Sequence, residues 1–450
     1  MSLLRGQEER PARDDRDDPD RDDAPPPAGR QDDDDRSGED SPEPSRGGPA
    51  RAAFRHRDFR ILWSGALASN VGTWMQNVAL GAYAYDLTQS PLFVSIVYFA
   101  QMGPLLVLSA VGGLLADTVD RRRLLIVVQL EQLIGSALLA ALVFSDNPSR
   151  VAIVLAVLMV GVGNALNNPA WMSSVPSLVG EEDLSGAVSL HVAQIQISRV
   201  IGPAIGGVLF PWIGAAGVFA TNAGTYLFSV ATLLVARIPK APKPDDEDDG
   251  LGRRLMAGFS VARHDPLVRT TLLTMFTFAL LCVPFSTQLP VVAATNLGMD
   301  VETVEYGLLF AAFGFGGVLG AVSVGTFLSR VSRTKIVRRN LQGFAAGLLV
   351  FALLRSSLPA YLVVTVLGFT FFSMVTALNT TLQNHLDEGV RGRVTALWFM
   401  CFGGTLPLGS VIAGAVAETV SITAVMLYGV PVALALSWYT RRLGRLSSPS

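Results

Sequence analysis

Twelve apolar runs of about twenty residues follow one another between residues 61 and 441. Each is long enough to cross the roughly 30 Å hydrocarbon core of a bilayer as an α-helix. They fall near 61–84, 92–116, 124–144, 151–173, 187–211, 214–236, 269–294, 304–329, 335–354, 358–383, 394–417 and 421–441. A water-soluble core has no use for so many continuous apolar segments, so the pattern predicts an all-α membrane protein. Charge agrees with this. Asp, Glu, Lys and Arg make up 16% of the chain, against about 25% in an average soluble domain. Those charges also crowd into the first fifty residues, in runs such as Asp14–Asp18 and Asp32–Asp35.

The basic residues between runs alternate in side. Arg121, Arg122 and Arg123 follow the second run, and Arg237, Lys240, Lys243, Arg253 and Arg254 follow the sixth. Arg330, Arg333, Lys335, Arg338 and Arg339 follow the eighth, Arg391 and Arg393 the tenth, and Arg441, Arg442 and Arg445 end the chain. The opposite connections are short and carry Asp86, Asp146 with Arg150, and Asp300 with Glu302 and Glu305. Positive charge marks the cytoplasmic side, which puts both termini in the cytoplasm. Glu181, Glu182 and Asp183 depart from the pattern, but acidic residues weigh little in it. The expected layout is an acidic, Arg- and Pro-rich disordered tail (1–53), a six-helix bundle (54–236), a linker (237–268), a second six-helix bundle (269–441) and a C-terminal tail (442–450). Within the linker, Leu251–Arg263 reads as a short amphipathic surface helix.

The two bundles repeat. A shift of about 212 residues lays Gly113–Arg121 over Gly325–Arg333 and the polar stripe of the fourth run over that of the tenth. A shift of about 207 lays Ile201–Gly207 over Leu408–Gly414. Weak symmetry between six-helix halves is a transporter signature, with the site where the halves meet.

The run Gly113, Leu115, Ala116, Asp117, Arg121, Arg122, together with the twelve-run plan, resembles the major facilitator superfamily over residues 54–441. The resemblance implies that Gly113, Asp117, Arg121 and Arg122 form a conformational latch on the cytoplasmic side. Asp120 stands where that family carries a second glycine. Gly202-Pro203 followed by Gly206-Gly207 resembles the motif of exporters and antiporters, and implies a fifth helix that bends and gates. Small residues at that spacing also serve a plain packing seam. Phe54-Arg55, Asp58-Phe59-Arg60, Leu62-Trp63, Gly72-Thr73-Trp74-Met75-Gln76 and Leu87–Pro91 resemble the branch of enterobactin exporters and transmembrane secretion effectors, with macrolide-efflux proteins similar.

Polar residues inside spans are costly in lipid unless they face protein or water. Asn164, Asn167, Asn168 and Trp171 share one face of the fourth run; Thr376, Asn379, Thr380 and Gln383 share the same spacing on the tenth; Asn70, Thr73, Trp74, Gln76 and Asn77 are expected to lie largely on one side of the first, with Asn70, Trp74 and Asn77 as its cavity candidates. The resemblance implies that the first, fourth, seventh and tenth helices line the cavity, so these are the candidate substrate residues, with hydrogen-bond glue between helices as the alternative. Gln288 is a weaker candidate on the seventh. Arg199, halfway along the fifth run, has Leu406 as its counterpart in the repeat, so the fold itself does not require it. It is read as the anchor for an anionic substrate group or a coupling carboxylate. Glu131, in the third run, is the candidate proton carrier, and structural pairing is its alternative.

No phosphate-cradling loop, metalloprotease pair, nucleophile set or zinc spacing is present, and Cys282 and Cys401 lie inside apolar runs. The expectation is therefore a non-enzymatic, monomeric exporter in the bacterial inner membrane. It would work by alternating access on a small molecule such as a siderophore, drug or secondary metabolite. It would need no cofactor, drawing on the proton gradient by antiport, and would have the lipid bilayer but no nucleic acid as partner. An importer of the same fold, or a membrane scaffold or sensor, is the rival reading.

Overall fold

The computed structural model describes residues 52–108, 119–145, 148–238 and 259–443, all within one unit, Arg46–Ser450. The N-terminal tail to residue 51, most of the linker with most of its expected surface helix, and Gly113 and Asp117 lie outside the described residues. Every named element is helical. Helix α1 is Arg57–Thr88, α2 Pro91–Leu108 and α3 Arg121–Val143. A continuous stretch, Arg150–Val235, follows. Gly180 (φ 74°, ψ 172°) and Gly214 (φ 64°, ψ 178°) break it into α4, α5 and α6 (150–179, 181–213 and 215–235). Then come α7 Pro266–Thr295, α8 Val304–Gly325, α9 Arg333–Leu353, α10 Ser357–His385, α11 Val390–Thr419 and α12 Ile422–Tyr439. Among the described residues nine stretches are long and apolar enough to cross a membrane, the 86-residue stretch counting as one; α1, the first expected span, is helical but is not among them.

Local sequence accounts for the boundaries. Ser90 caps α2 by accepting from the Phe93 amide (3.2 Å), with Pro91 as the first helical residue. Asp120 caps α3 by accepting from the Arg123 amide (3.0 Å), which gives the residue in place of the family's glycine a definite job. Asp265 caps α7 through the Leu267 and Val268 amides, and its other oxygen takes His385 Nε2 of α10 at 2.7 Å. Helix α7 is interrupted by a 3₁₀ turn, Pro284–Gln288, and α11 by a π turn, Met400–Gly404. Turns of this kind mark places where a helix bends.

The two halves pack by different means. In the first, a buried polar network ties three helices: Ser136 Oγ of α3 and Asn222 Nδ2 of α6 each donate to Gln76 Oε1 of α1 at 2.8 Å. Thr73 Oγ1 meets the Tyr226 hydroxyl at 2.8 Å. In the second, Phe278, Phe285, Phe313, Phe344, Phe351 and Phe371 interlock. There Gly316, Gly320 and Gly368 let α8 and α10 meet backbone to backbone. Val107, Leu138, Phe228, Leu362 and Leu434 are exposed on the outside. In water such surface invites aggregation; in lipid it is solvated.

The halves join toward the face of the short, acidic loops. Glu418 of α11 accepts from Ser90 Oγ (2.8 Å) and the Leu92 amide (3.3 Å), so its carboxylate sits on the positive end of α2 from the other half. Ser95 Oγ donates to the Ser410 carbonyl at 2.6 Å, and Gln288 Nε2 donates to Pro91 O (3.2 Å) and to Ser95 Oγ. Gly207 of α5 and Gly307 of α8 touch so closely that a Cβ on either would collide with the other's backbone. Opposing these contacts, Asp86 of the first half and Glu302 of the second lie near one another. Partial burial, then the charges of Asp86 and Asp300, push the Glu302 carboxyl above its ordinary range.

Three outcomes follow from this geometry. Gly180→Ala places a side chain in a backbone region that is nearly glycine-only, at a cost of about 1–3 kcal/mol. Its melting temperature in detergent should fall while a neighbouring surface substitution leaves it unchanged. With Cys282 and Cys401 replaced by alanine and Ser410, which is buried, by cysteine, Glu418→Gln should raise the rate of maleimide labelling. The same reporter reads pH. Because Glu302 titrates high when this face is closed, closure takes up a proton. Closure is therefore favoured at low pH and lost as pH rises through the raised value. Labelling, corrected for thiol ionisation against unfolded protein, should climb with pH, and Glu302→Gln should flatten the climb.

Candidate functional site: a polar junction between the halves

Helix α1 sorts its polar residues by face. Thr73 and Gln76 turn into the first bundle, as above. Asn70, Trp74 and Asn77, at i, i+4 and i+7, share the other side. Asn70 Nδ2 donates to the Ala66 carbonyl of its own helix (3.0 Å), and Asn77 accepts from Gln101 Nε2 of α2. Trp74 meets Arg199 of α5, whose guanidinium carbon lies 5.4 Å from the ring centroid. The same carbon lies 5.5 Å from the Phe372 ring of α10, in the opposite half. Arg199 Nε is buried without a hydrogen-bond partner. Its electrostatic neighbour is the Tyr98 phenol of α2. The Arg199 carbonyl is approached by Gly314 of α8, where a Cβ would lie 2.8 Å away.

Arginine at this depth costs about 2.5–3.5 kcal/mol on insertion scales. Cation–π contacts return about 0.5–2 kcal/mol each, more when desolvated. Two rings therefore hold the charge, with donor capacity left over for a ligand.

The helix-5 motif explains how Arg199 reaches this junction. A Cβ on Gly202 would lie 2.8 Å from the Val71 carbonyl, and one on Gly206 3.0 Å from Met75, so α5 lies flush on α1. Gly207 meets α8 of the other half. Pro203, buried in the helix, withholds one backbone donor between these contacts. One turn of small residues thus touches both halves.

The remaining candidates are spread. Asn167 accepts from Gln129 Nε2 of α3 (3.1 Å), and Asn168 pairs with His191 Nε2 of α5 (3.1 Å). His191 stacks on Trp171 at 4.2 Å between centroids. Asn164 is half-buried and makes no side-chain hydrogen bond among the described residues. Asn379 Oδ1 of α10 is buried without a partner, and Gln383 Nε2 donates to Thr395 Oγ1 of α11 (3.0 Å). Thr376 and Thr380 line a separate cavity of about 430 Å³ toward the basic face, with Ser329, Arg333 and Ile336. Glu131 is half-buried against α4, where a Cβ on Gly163 would lie 2.8 Å from Oε2. It forms no ion pair among the described residues. On the basic face Arg122 donates to the Leu233 (2.9 Å) and Leu234 (2.6 Å) carbonyls, closing the end of α6. Arg121 begins α3 beside it.

Tyr98, Gln101, Phe372 and Glu418 are the residues that sequence reasoning missed. Tyr98 and Gln101 stand one helical turn apart, a polar pair inside an apolar run, which was a readable signal. Phe372 looked like any core phenylalanine, and Glu418 like an ordinary loop acid.

Known proteins agree with this architecture. The pattern described as transmembrane secretion effector matches residues 49–447. The multidrug efflux pump Tap of Mycolicibacterium fortuitum is 26% identical over 378 residues, covering 82% of this chain and 91% of Tap. The enterobactin exporter EntS of Escherichia coli is 27% identical over 353 residues, 76% of this chain and 81% of EntS. The staphyloferrin A transporter of Staphylococcus aureus is 24% identical over 368 residues, 81% and 90% of the two chains. In fold, the nucleoside transporter NupG superposes with a TM-score of 0.67 at 14% identity, over 86% of this chain and 99% of NupG. A bacterial homologue of the human lysosomal transporter Spinster, in an inward-facing and unoccupied conformation, superposes with a TM-score of 0.60 at 13% identity, over 87% and 96%. With the family pattern spanning nearly the whole helical region, the chain belongs to the transmembrane secretion effectors of the major facilitator superfamily, a family of multi-pass membrane transporters and not of enzymes.

Proposed function

We propose that this protein is a proton-coupled exporter of small molecules that works by alternating access. The observation that carries the reading is its kinship over most of its length with proteins named as an efflux pump, an enterobactin exporter and a staphyloferrin A transporter. The geometry supports it. Hydrogen bonds between the halves gather at the short-loop face, and the polar junction lies between the halves at mid-depth. In this reading the basic face is cytoplasmic, twelve segments cross the bacterial inner membrane, and both termini are cytoplasmic. The conformation is open inward and closed outward, and the protein acts as a monomer. Asn70, Trp74, Asn77, Asn164 and Asn379 contact the substrate or its waters. Asn167, Asn168, Thr376, Thr380 and Gln383 act nearer the cytoplasmic opening. Gly202, Pro203, Gly206 and Gly207 let α5 move, and Gly113, Asp117, Arg121 and Arg122 latch the opposite state.

The proton gradient is the energy source, with no cofactor. Glu131 is the carrier, because a half-buried carboxylate with no ion-pair partner among the described residues changes its proton affinity when its surroundings change. Cells expressing the protein should accumulate less of at least one compound in a panel of dyes, macrolides and siderophores, and an uncoupler should restore accumulation. Glu131→Gln should reach the membrane normally yet lose the uncoupler-sensitive part. Unchanged accumulation across the panel would overturn export; full uncoupler sensitivity in Glu131→Gln would overturn the carrier assignment alone.

A further inference from the structure

We propose that Arg199 is an anion-operated clasp: an anionic group on the transported molecule takes the guanidinium from Phe372 and thereby frees the two halves to part. This rests on the transport reading above and decides what Arg199 receives. Three observations carry it. The guanidinium faces one ring from each half, Trp74 at 5.4 Å and Phe372 at 5.5 Å, so it bridges the interface that must open. Its Nε is buried with nothing to donate to. Its electrostatic neighbour is a phenol, Tyr98, and among the described residues no acid pairs with it. Among the described residues, then, no coupling carboxylate occupies the guanidinium.

The seat of Phe372 is equally specific. Its ring lies against Gly317 of α8, where a Cβ would come within 2.5 Å of it. The ring therefore sits in a slot kept clear by a glycine, and α10 is held to α5 through it. A carboxylate or ionised phenol offers the guanidinium's planar fork two charge-assisted hydrogen bonds. In a water-poor site these exceed what a phenyl face supplies. Trp74, in the same half as Arg199, stays as a flat floor. The favoured ligand is accordingly an organic anion whose charge sits on or beside a planar unsaturated group. Binding then favours whichever arrangement lets Phe372 leave, which is how a ligand shifts a two-state equilibrium.

The test uses full-length protein in nanodiscs carrying the Ser410→Cys reporter, with 2-naphthoate as the anion and 2-naphthamide as its neutral counterpart. Naphthoate should raise reporter labelling several-fold and naphthamide should leave it unchanged. Arg199→Gln should abolish the naphthoate response. Phe372→Leu should raise labelling without ligand and respond no further, which keeps the proposal testable if the arginine variant fails to fold. Equal responses to both compounds, or a naphthoate response that survives in Arg199→Gln, would overturn the clasp. Transport measured in parallel separates the two readings. Export of an uncharged compound that Arg199→Gln retains would leave the transport reading standing and remove the anion proposal.

Discussion

Lipid offers no hydrogen bonds, and almost every polar choice in this protein answers to that fact. A buried amide in a soluble protein can fall back on water. Here Gln76, Ser136 and Asn222 must find one another across three helices, and Asn167 must find Gln129. Several buried polar atoms lack a partner even so, among them those of Gln194, Asn379 and Arg338, and Arg199 joins them. Two aromatic faces hold its charge, while Nε has no acceptor. A bilayer protein tolerates such a group where it has a use, and its position between the halves says where that use lies.

The two bundles descend from one plan yet solve packing differently. The first relies on amides and hydroxyls worth about 0.6 kcal/mol each. The second relies on phenylalanine rings and glycine-lined contacts whose value comes from dispersion. The difference matters at the interface. A helix bonded by many amides to its own bundle moves with that bundle as a body. Helix α5 lies outside the Gln76–Ser136–Asn222 network and rests on α1 through Gly202 and Gly206, which brings Arg199 to the first-half side of the contact; Phe372, seated against Gly317, is its second-half partner. Leu406, the repeat counterpart of Arg199, shows where the symmetry was given up.

The helices were legible in the sequence because a bilayer imposes a single length on an apolar run, although α1 is not among the stretches long and apolar enough to cross a membrane. The two glycine breaks were legible less directly: Gly180 stands in the polar gap 174–186, and Gly214 opens the sixth run. Helical periodicity also grouped the polar residues of α4 and α10, while on α1 it put Thr73 and Gln76 with Asn70, Trp74 and Asn77, and the structure turns those two into the first bundle. Periodicity did not say which neighbour each face meets. Asn164, Asn167 and Asn168 share a stripe, yet Asn167 is engaged by α3, Asn168 by α5, and Asn164 by neither. Periodicity fixes an angle about one axis, while contact depends on where other helices lie. The same limit hid Phe372 and Glu418, whose partners are distant in sequence: Arg199, and the pair Ser90 and Leu92.

At the short-loop face attraction is set against repulsion. Glu418 on the end of α2, Ser95 with Ser410, and the touching Gly207 and Gly307 draw the halves together. Asp86 against Glu302 drives them apart. Hydrogen bonds of this kind are worth about 1 kcal/mol each, somewhat more to a charged acceptor. Moving a two-state equilibrium from one extreme to the other takes about 5.5 kcal/mol of differential binding. On the proposed reading, an interface of a few such bonds, weakened by like charges, is within reach of one bound anion and one proton. A larger or drier interface would fix the protein in this state, and a smaller one would let it leak between states without a ligand.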